Sequence, residues 1–463
     1  MSKTLQYFKE ITKYPRPSKK EEKIRDFLVN FFSKKGYKYI VDKTGNLIVY
    51  IPAKNSFSKE TIILQSHMDM VCVKDEKSNH DFLKDSLKIL EEDGFLKAKN
   101  TTLGADNGIG IALIMSAIDF EKYPNLEIIF TIDEEAGMSG ILGLDFSLLN
   151  GTKIINLDFE DEDQICISSA GGVGISGNKE LELEVGKLQK YELEIFGMKG
   201  GHSGVEIDKN RGNAILIFLD FISKYNGNIE IYKLNSGFAQ NVIPSKINVI
   251  LGIENIDKFR LELEKYIENT KNIYDCPEIG FSINENNENI LKIKDGLNIL
   301  IDLLKIKDGV YKISEKIPDL VQTSINLGIL KIENNILKNI YLARSSNNEE
   351  LTELVENIKK YLQEKGFEIN FDKGYFGWQD DPNSQLLNIA KIEFEKELGK
   401  SPKVVAVHAG LECGILVSGL NKPGVNAISI GPNIFGAHST KERVEIASIK
   451  KLENILERIL EKL

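Results

Sequence analysis

The stretch Ile62-Ile63-Leu64-Gln65-Ser66-His67-Met68-Asp69 decides the fold, because the pattern of a short buried strand runs directly into polar, metal-binding residue types. Residues 126–132 and 153–157 repeat this pattern, and acidic residues follow each run. Residues 108–118 predict a helix rich in Ile, Leu and Ala between the first two strands. Strands that alternate with helices predict an α/β fold with a mostly parallel sheet. Polar residues that follow such strands indicate a site at the carboxyl end of that sheet.

Beyond residue 191 the pattern changes, which predicts an inserted domain. Strand and helix patterns follow one another over 191–283, and a similar order returns over 297–371. Each group indicates a βαββαβ-type, ferredoxin-like half of one α+β domain, although no sequence repeat relates them. The α/β pattern then returns. The predicted domains are a main domain, to which the chemistry below is assigned, in two parts, 1–187 and 378–463, and an inserted domain, 188–377.

The composition narrows the class of protein. The chain has 463 residues and a formal net charge of -10, so it lacks the basic surface that nucleic-acid binding requires. Its first ten residues hold no apolar core of signal-peptide length, and no run of about 18 apolar residues is present. Four scattered cysteines without CxxC spacing are typical of reduced thiols. We therefore expect a cytoplasmic protein with no nucleic-acid or membrane partner.

Polar residues at the predicted strand ends and in glycine-rich loops form one constellation. Its members are His67, Asp69, Asp106, Glu134, Glu135, Asp158 and His438. A mixture of imidazoles and carboxylates suits zinc, manganese or cobalt better than calcium or magnesium. Two histidines and three carboxylates can hold two metal ions with one bridging carboxylate, and Asp106 is the natural bridge because glycines flank it. One further carboxylate is then left to act as a general base.

The motifs around these residues resemble those of the zinc aminoacylase and peptidase superfamily, and within it the aminoacyl-histidine dipeptidase family, also called peptidase D. The matching segments occur in the order typical of the family and span nearly the whole chain. They are Gln65-Ser66-His67-Met68-Asp69-Met70-Val71, 102–110, Asp133-Glu134-Glu135-Ala136-Gly137, Asn156-Leu157-Asp158, Gly200-Gly201-His202-Ser203-Gly204, 211–214, 241–244, 407–414 and 431–439. The resemblance implies a dizinc exopeptidase type of catalytic domain, with the inserted segment as a lid domain.

The resemblance also implies a ligand set for two divalent ions, most simply zinc, with manganese or cobalt as alternatives. His67, Asp106 and Asp158 would hold one ion. Asp106, Glu135 and His438 would hold the other.

The remaining members of the constellation are expected to support the chemistry. Asp69 would lie behind His67 and orient its ring. Glu134 would be the general base that moves protons between the attacking water and the leaving amine. In relatives of this kind the peptide bond between Asp106 and Asn107 is expected to be cis.

Four residues are expected to contact the substrate. The resemblance implies that His202 stabilises the developing oxyanion, although a surface histidine in a glycine turn would give the same motif. Arg344 is the candidate for the terminal carboxylate, because a planar guanidinium suits a bidentate contact; a surface arginine is the alternative. Asn241 is expected to hold a backbone group of the substrate. His408 is expected to line the pocket, and a structural role is equally compatible with its position.

These features predict a metallodipeptidase that hydrolyses unblocked dipeptides, including Xaa-His dipeptides. A metal-dependent aminoacylase or amidase acting on N-acyl amino acids would have almost the same metal site. A non-catalytic metal-binding protein is a third alternative, although such a protein would have no need of Glu134. A homodimer is also expected, and His202 would act either within its own chain or in a neighbouring subunit.

Overall fold

The structure is a computed structural model that describes residues 2–274, 276–315, 320–379 and 381–463. The chain divides into two compact units. The first unit comprises Met1–Ser169, Trp378–Ala406 and Leu411–Leu463, and the second comprises Ala170–Gly377 and Val407–Gly410.

The elements before residue 170 belong to the first unit. Its helices here are α1 (Lys3–Ile11), α2 (Glu22–Lys34), α3 (Ala105–Ala117) and α4 (Ser139–Leu142). Its strands are β1 (Lys38–Val41), β2 (Leu47–Ile51), β3 (Thr61–His67), β4 (Ile89–Glu92), β5 (Phe95–Ala98), β6 (Asn125–Thr131), β7 (Lys153–Asn156) and β8 (Gln164–Ser169).

The second unit follows. Its strands are β9 (Gly171–Glu180), β10 (Leu183–Glu184), β11 (Lys190–Phe196), β12 (Gly201–His202), β13 (Ile229–Ser236), β14 (Val242–Ile243), β15 (Ile247–Ile253), β16 (Gly280–Glu285), β17 (Lys292–Ile293), β18 (Gly309–Ile313), β19 (Val321–Glu333), β20 (Ile336–Ser345) and β21 (Glu368–Phe371). Its helices are α5 (Ala214–Lys224), α6 (Ile256–Ile273), α7 (Gly296–Asp302) and α8 (Asn348–Glu364).

The last part of the chain returns to the first unit. Its strands are β22 (Trp378–Gln379), β23 (Lys403–Val407), β24 (Asn426–Ser429), β25 (Ile434–Phe435) and β26 (Arg443–Glu445). Its helices are α9 (Gln385–Leu398), α10 (Glu412–Leu420) and α11 (Ile446–Lys462).

The first unit is built on a sheet with the strand order β1-β2-β6-β3-β7-β24-β8-β22, to which β23 adds beside β8. The four central strands, β6, β3, β7 and β24, run parallel. The strands at both sides of this centre pair antiparallel. Helix α3 is apolar around its whole circumference and is buried, as expected of a helix packed in the interior of an α/β unit. The predicted α/β class with a mostly parallel sheet is confirmed.

The second unit contains an antiparallel sheet with the order β16-β11-β15-β13-β19-β20-β9-β21, and β18 pairs with β19. Strands β11, β13, β15 and β16 with helices α5 and α6 form one βαββαβ half. Strands β9, β19, β20 and β21 have the same spatial order and form the second half, in which β9 takes the place of the first strand. The two halves meet where β13 pairs with β19.

The predicted domain boundary between 187 and 188 differs from this division, because the second unit begins at Ala170. Strand β9 pairs along its whole length with β20 and also with β21, so residues 171–180 belong to the inserted sheet. This strand carries four glycines between 171 and 177, and glycine weakens the alternating pattern by which strands are detected. The main segment of the second unit ends at Gly377, and residues Val407–Gly410 are also part of this unit.

Within the described residues, no helix is both long enough and apolar enough to cross a membrane.

Candidate active site

The parallel strands of the first unit bring the predicted constellation to one edge of the sheet. His67 is the last residue of β3, Glu134 and Glu135 follow the end of β6, and Asp158 follows the end of β7. In register, His67 lies opposite Thr131 of β6, which places the three strand ends side by side. Because parallel strands all end at the same edge, residues far apart in sequence converge there.

Each of five of these side chains lies within 3.3 Å of at least one other, and the five form the metal-centre cluster: His67, Asp106, Glu135, Asp158 and His438. The Nε2 atom of His67 lies 3.0 Å from Oδ1 of Asp106 and 3.3 Å from Oδ1 of Asp158. The Nε2 atom of His438 lies 3.1 Å from Oδ2 of Asp106 and 3.1 Å from Oε2 of Glu135. Asp106 therefore directs one carboxylate oxygen towards each histidine.

The backbone at Asp106 departs from the helix that follows it. Asp106 and Asn107 have non-helical φ and ψ angles at the beginning of α3, and the peptide bond between them is cis, which confirms the expectation from the sequence. Gly104 precedes them with φ +64°, a left-handed conformation that favours glycine.

Asp69 lies behind the cluster and is fully buried. Its Oδ1 is 3.3 Å from Nδ1 of His67, on the opposite side of the ring from Asp106. The same carboxylate accepts hydrogen bonds from the backbone N–H groups of Glu134 (3.0 Å) and Glu135 (3.2 Å). Asp69 thus contacts both the ring of His67 and the backbone that carries the two glutamates.

The electrostatics of the cluster favour cations. Burial alone would lower the pKa of His67, but the charges and hydrogen bonds of Asp158, Asp106 and Asp69 outweigh it and hold that pKa well above its usual range. Contacts with Asp106 and Glu135 raise the pKa of His438 to about 11. Both imidazoles therefore lie in a strongly negative environment.

The pKa values of two carboxylates at this site are raised as well. Burial, together with nearby negative charges, raises the pKa of Asp158 to about 7. Burial is also the first cause of the raised pKa of Glu134, and Asp158, Glu135 and Glu412 add to it. Several carboxylates this close together repel one another unless protons or metal ions neutralise them.

The donor set fits divalent ions. Tetrahedral coordination at the usual zinc–ligand lengths places neighbouring donor atoms about 3.3 Å apart, and the four measured separations are 3.0 to 3.3 Å. The Oε1 atom of Glu135 is buried and has no hydrogen-bond partner among the described residues. Among the described residues, His67, Asp106 and Glu135 each present a ligand atom within 4.8 Å of the ligand atoms of the other two. The first unit therefore offers a site for one or more metal ions.

A second group of polar side chains lies in the second unit and is called here the substrate-side cluster: His202, Arg344, Tyr375 and His408. Arg344, on β20, is 4% exposed, and its Nη1 donates a 2.8 Å hydrogen bond to the Tyr375 hydroxyl. Its Nε–H is buried and finds no acceptor among the described residues. The alternative that Arg344 is an ordinary surface arginine is thus wrong.

His408 is a buried neighbour of Arg344. Its Nε2 lies 2.7 Å from the Ser324 hydroxyl, and Ser324 is the cross-strand partner of Arg344. Burial, with the positive charge of Arg344, lowers the pKa of His408 to about 3, so the ring is neutral at physiological pH. Of these two neighbouring side chains, only Arg344 then carries a full positive charge.

His202 and Asn241 come together through a short strand pair. β12 pairs with β14, so that His202 lies opposite Val242, the residue after Asn241. Nδ1 of His202 accepts backbone hydrogen bonds from Gly204 (3.2 Å) and Val205 (3.4 Å). A ring whose Nδ1 accepts carries its proton on Nε2 when neutral, so Nε2–H is a donor. The Asn241 side chain is exposed.

The structure adds residues that sequence reasoning missed. Arg16 and Glu442 lie against the loop that carries Asp106, and Tyr375 contacts Arg344. The residues around Glu442 are mostly charged and polar, a composition that normally indicates an exposed surface. Only the spatial neighbours of these residues distinguish them from surface charges.

The chain is similar to known proteins over nearly its whole length. The sequence profile described as "Peptidase family M20/M25/M40" matches residues 63–462. The cytosol non-specific dipeptidase of Escherichia coli K12 is 30% identical, over 98% of this chain and 96% of the relative. The crystal structure of aminoacylhistidine dipeptidase from Vibrio alginolyticus has a TM-score of 0.86 at 29% identity, covering 99% of this chain and 96% of that chain. Aminopeptidase PepT from Bacillus cereus shares the fold, with a TM-score of 0.57 at 17% identity and coverage of 99% and 98%.

Proposed function

The chain belongs to peptidase family M20/M25/M40 and is therefore a peptide-bond hydrolase, and on this premise we propose that it is a dinuclear metallodipeptidase that cleaves unblocked dipeptides, including Xaa-His dipeptides. The observation that carries the proposal is the geometry of Asp106. Its two carboxylate oxygens face the Nε2 atoms of two different histidines, at 3.0 and 3.1 Å. A carboxylate with this arrangement can bridge two metal ions.

Two overlapping ligand sets follow from the contacts in the metal-centre cluster. His67, Asp106 and Asp158 would hold one ion, and Asp106, Glu135 and His438 the other. Zinc suits this combination of imidazole and carboxylate donors, and manganese or cobalt would fit the same residues. When bound, the ions would polarise the scissile carbonyl and lower the pKa of the attacking water.

Asp69 would position two parts of the catalytic apparatus at once. Its contact with Nδ1 of His67 leaves Nε2 of that ring as the metal-binding atom. Its bonds to the backbone N–H groups of Glu134 and Glu135 hold a ligand and the general base at a defined distance from the same ring. Asp69 is thus a positioning residue in this proposal.

Glu134 would act as the general base. Its backbone is held by Asp69, while its carboxylate has no hydrogen-bond or ion-pair partner in the described part of the chain. Because burial raises its pKa, the carboxylate is a stronger base than an exposed glutamate. It would remove a proton from the attacking water and then donate it to the leaving amine nitrogen.

The substrate-side cluster would recognise the other parts of the dipeptide. Arg344 would bind the terminal carboxylate, and Tyr375 holds one end of its guanidinium. His202 would donate from Nε2–H to the developing oxyanion. His408, kept neutral beside Arg344, would line the carboxylate pocket without adding a competing charge, and Asn241 would contact a backbone group of the substrate.

Hydrolysis of a panel of substrates tests the proposal. We expect the purified chain to cleave free dipeptides, to lose that activity after treatment with a chelator, and to regain it with Zn²⁺, Mn²⁺ or Co²⁺. Matched N-acetyl amino acids should be poor substrates. Cleavage of N-acetyl amino acids with no cleavage of free dipeptides would favour an aminoacylase, and full activity in the chelator-treated protein would contradict the metal-dependent mechanism.

The cellular setting is also a proposal. The E. coli relative is named as a cytosol dipeptidase, and we propose a cytoplasmic location for this chain. We propose a homodimer as well, which sedimentation at micromolar concentration would test.

A further inference from the structure

A buried glutamate that none of these roles uses lies against the loop that carries Asp106. Glu442 is 2% exposed, and its carboxylate accepts hydrogen bonds from four successive backbone N–H groups. Oε2 accepts from Leu103 (2.7 Å) and Gly104 (2.9 Å). Oε1 accepts from Ala105 (2.7 Å) and Asp106 (3.4 Å). Charge-assisted bonds of this number hold a backbone segment in one conformation.

Arg16 holds the same loop by its carbonyl groups. It is 1% exposed, and its guanidinium donates to the carbonyl oxygen of Gly104. It also donates to the carbonyl oxygens of Met68 (3.1 Å) and Asp69 (2.6 Å). A Cβ atom at Gly104 would come within 2.4 Å of Nη2 of Arg16, so this glycine leaves the room that the guanidinium occupies. One buried cation therefore ties the Asp106 loop to the segment after His67.

Glu442 also belongs to the loop that carries His438, four residues earlier in the chain. Its own backbone N–H donates a 3.1 Å hydrogen bond to the Ser439 carbonyl, which closes that loop into a turn. The Glu442 side chain thus joins the loop of His438 to the loop of Asp106. These two loops carry His438 and Asp106, whose side chains contact each other at 3.1 Å.

We infer that Glu442 is a positioning residue of the metal centre, and that together with Arg16 it holds the Asp106 loop so that Asp106 presents its two oxygens to His67 and His438. The inference rests on the proposed function, because it assigns Asp106 as the bridging ligand. The physical reason is that a bridging carboxylate must keep both oxygens aimed at once. A glycine-containing loop does not supply that rigidity by itself.

The chain offers a matched control for a purely structural role. Glu127, on β6, is 3% exposed and accepts hydrogen bonds from the backbone N–H groups of Asn150 (2.8 Å) and Gly151 (2.9 Å). It is therefore also a buried carboxylate that captures backbone N–H groups of the first unit. The segment that Glu127 holds contains no member of the metal-centre cluster, so Glu127→Gln should lower stability without changing metal binding.

The experiment compares the wild type, Glu442→Gln and Glu127→Gln, each stripped of metal and titrated with Co²⁺. The readouts are the affinity for Co²⁺, the visible absorption spectrum of the bound ion, kcat and KM for one dipeptide, and the urea midpoint. A glutamine side chain has one acceptor oxygen, so in Glu442→Gln some of the backbone N–H groups of residues 103–106 lose their acceptor. We expect a 10- to 100-fold loss of Co²⁺ affinity, a changed spectrum, and a kcat lowered at least tenfold at nearly constant KM. Glu127→Gln should keep the wild-type affinity, spectrum and kcat.

The outcomes separate the inference from the proposed function. A wild type that binds two Co²⁺ ions, with Glu442→Gln matching Glu127→Gln in affinity and spectrum, would overturn the inference alone. A wild type that takes up no Co²⁺ would overturn the proposed function and the inference with it. If Glu442→Gln does not fold, Arg16→Lys serves instead, since it keeps the charge but loses the planar donor set. Weakened Co²⁺ binding in folded Arg16→Lys supports the inference, and wild-type binding overturns it.

Discussion

The metal-centre cluster and the substrate-side cluster shift the pKa of a histidine in opposite directions. In the first unit, contacts with Asp106 and Glu135 raise the pKa of His438 to about 11. In the second unit, burial and the charge of Arg344 lower the pKa of His408 to about 3. The pKa of a histidine is thus raised by neighbouring carboxylates in one cluster, and lowered by burial and a neighbouring guanidinium in the other. One cluster is suited to cations and the other to a carboxylate anion.

The secondary structure beneath each cluster differs as well. The metal-centre cluster is assembled from the ends of parallel strands and from loops, which bring residues from distant parts of the sequence to one edge. The contact of His408 with Ser324 instead builds on an antiparallel strand pair, in which Ser324 and Arg344 are direct cross-strand partners. Strand ends allow several carboxylates to converge, whereas a strand pair presents neighbours at fixed spacing.

Loss of the proposed general base, Glu134, should give the largest effect on turnover. Glu134→Gln removes a proton acceptor but no proposed metal ligand, so kcat should fall about 10²- to 10⁴-fold while metal content stays at the wild-type level. Steady-state kinetics with metal analysis of the same sample would measure both. Glu121→Gln, an exposed carboxylate of the first unit, is the control and should keep wild-type kcat. Undiminished turnover in Glu134→Gln would remove this residue from the mechanism.

A smaller effect is expected from the anion-binding side. Arg344→Lys keeps a positive charge but loses the planar guanidinium with its paired N–H donors. The value of kcat/KM for free dipeptides should therefore fall about 10- to 100-fold, mostly because KM rises. The preference for a free dipeptide over its C-terminal amide should shrink with it. Arg260→Lys, on the exposed surface of α6, is the matched control. An unchanged preference for the free carboxylate would show that Arg344 does not read that group.

The smallest effect concerns stability and pH. Because the folded pKa of His408, about 3, lies below its ordinary value of 6.5, its contribution to stability is complete above pH 6.5. That contribution decreases as the pH falls from 6.5 towards 3, by about 2 kcal/mol at pH 5. Urea unfolding at pH 7 and pH 5 should show a smaller difference for His408→Gln than for the wild type. Ser324→Ala, which removes the hydrogen bond but leaves the titrating ring, should keep the wild-type difference. Equal pH dependence in His408→Gln and the wild type would contradict the assignment.

Local patterns in the sequence predicted the central part of the fold. The apolar runs at 62–64, 126–132 and 153–157 predicted strands, and all three are central parallel strands. The family resemblance was confirmed by a profile match to residues 63–462 and by dipeptidase relatives of similar length. These predictions succeeded because a buried strand must be apolar over its own length, a property visible without any knowledge of its partners.

The features that the sequence did not predict depend on contacts with distant segments of the chain. Strand β9, with its four glycines, has no strand pattern of its own and is recognised only by its pairing with β20 and β21. Because it is the first strand of the second ferredoxin-like half but precedes the first half in the chain, the predicted boundary at 187 fell too late. No local signal identifies a strand whose stability comes from its neighbours.

The sequence alone was sufficient to predict the α/β class, the constellation around Asp106 and the chemistry that such residue types favour, because residue type and local periodicity are properties of short segments. Only the tertiary structure decided which oxygen of Asp106 faces which histidine, and that Glu442 and Arg16 are buried against its loop. It also decided that the pKa of His408 falls while the pKa of His438 rises. Burial, distance and the sign of the nearest charge set these properties, and all three arise only when distant segments of the chain meet.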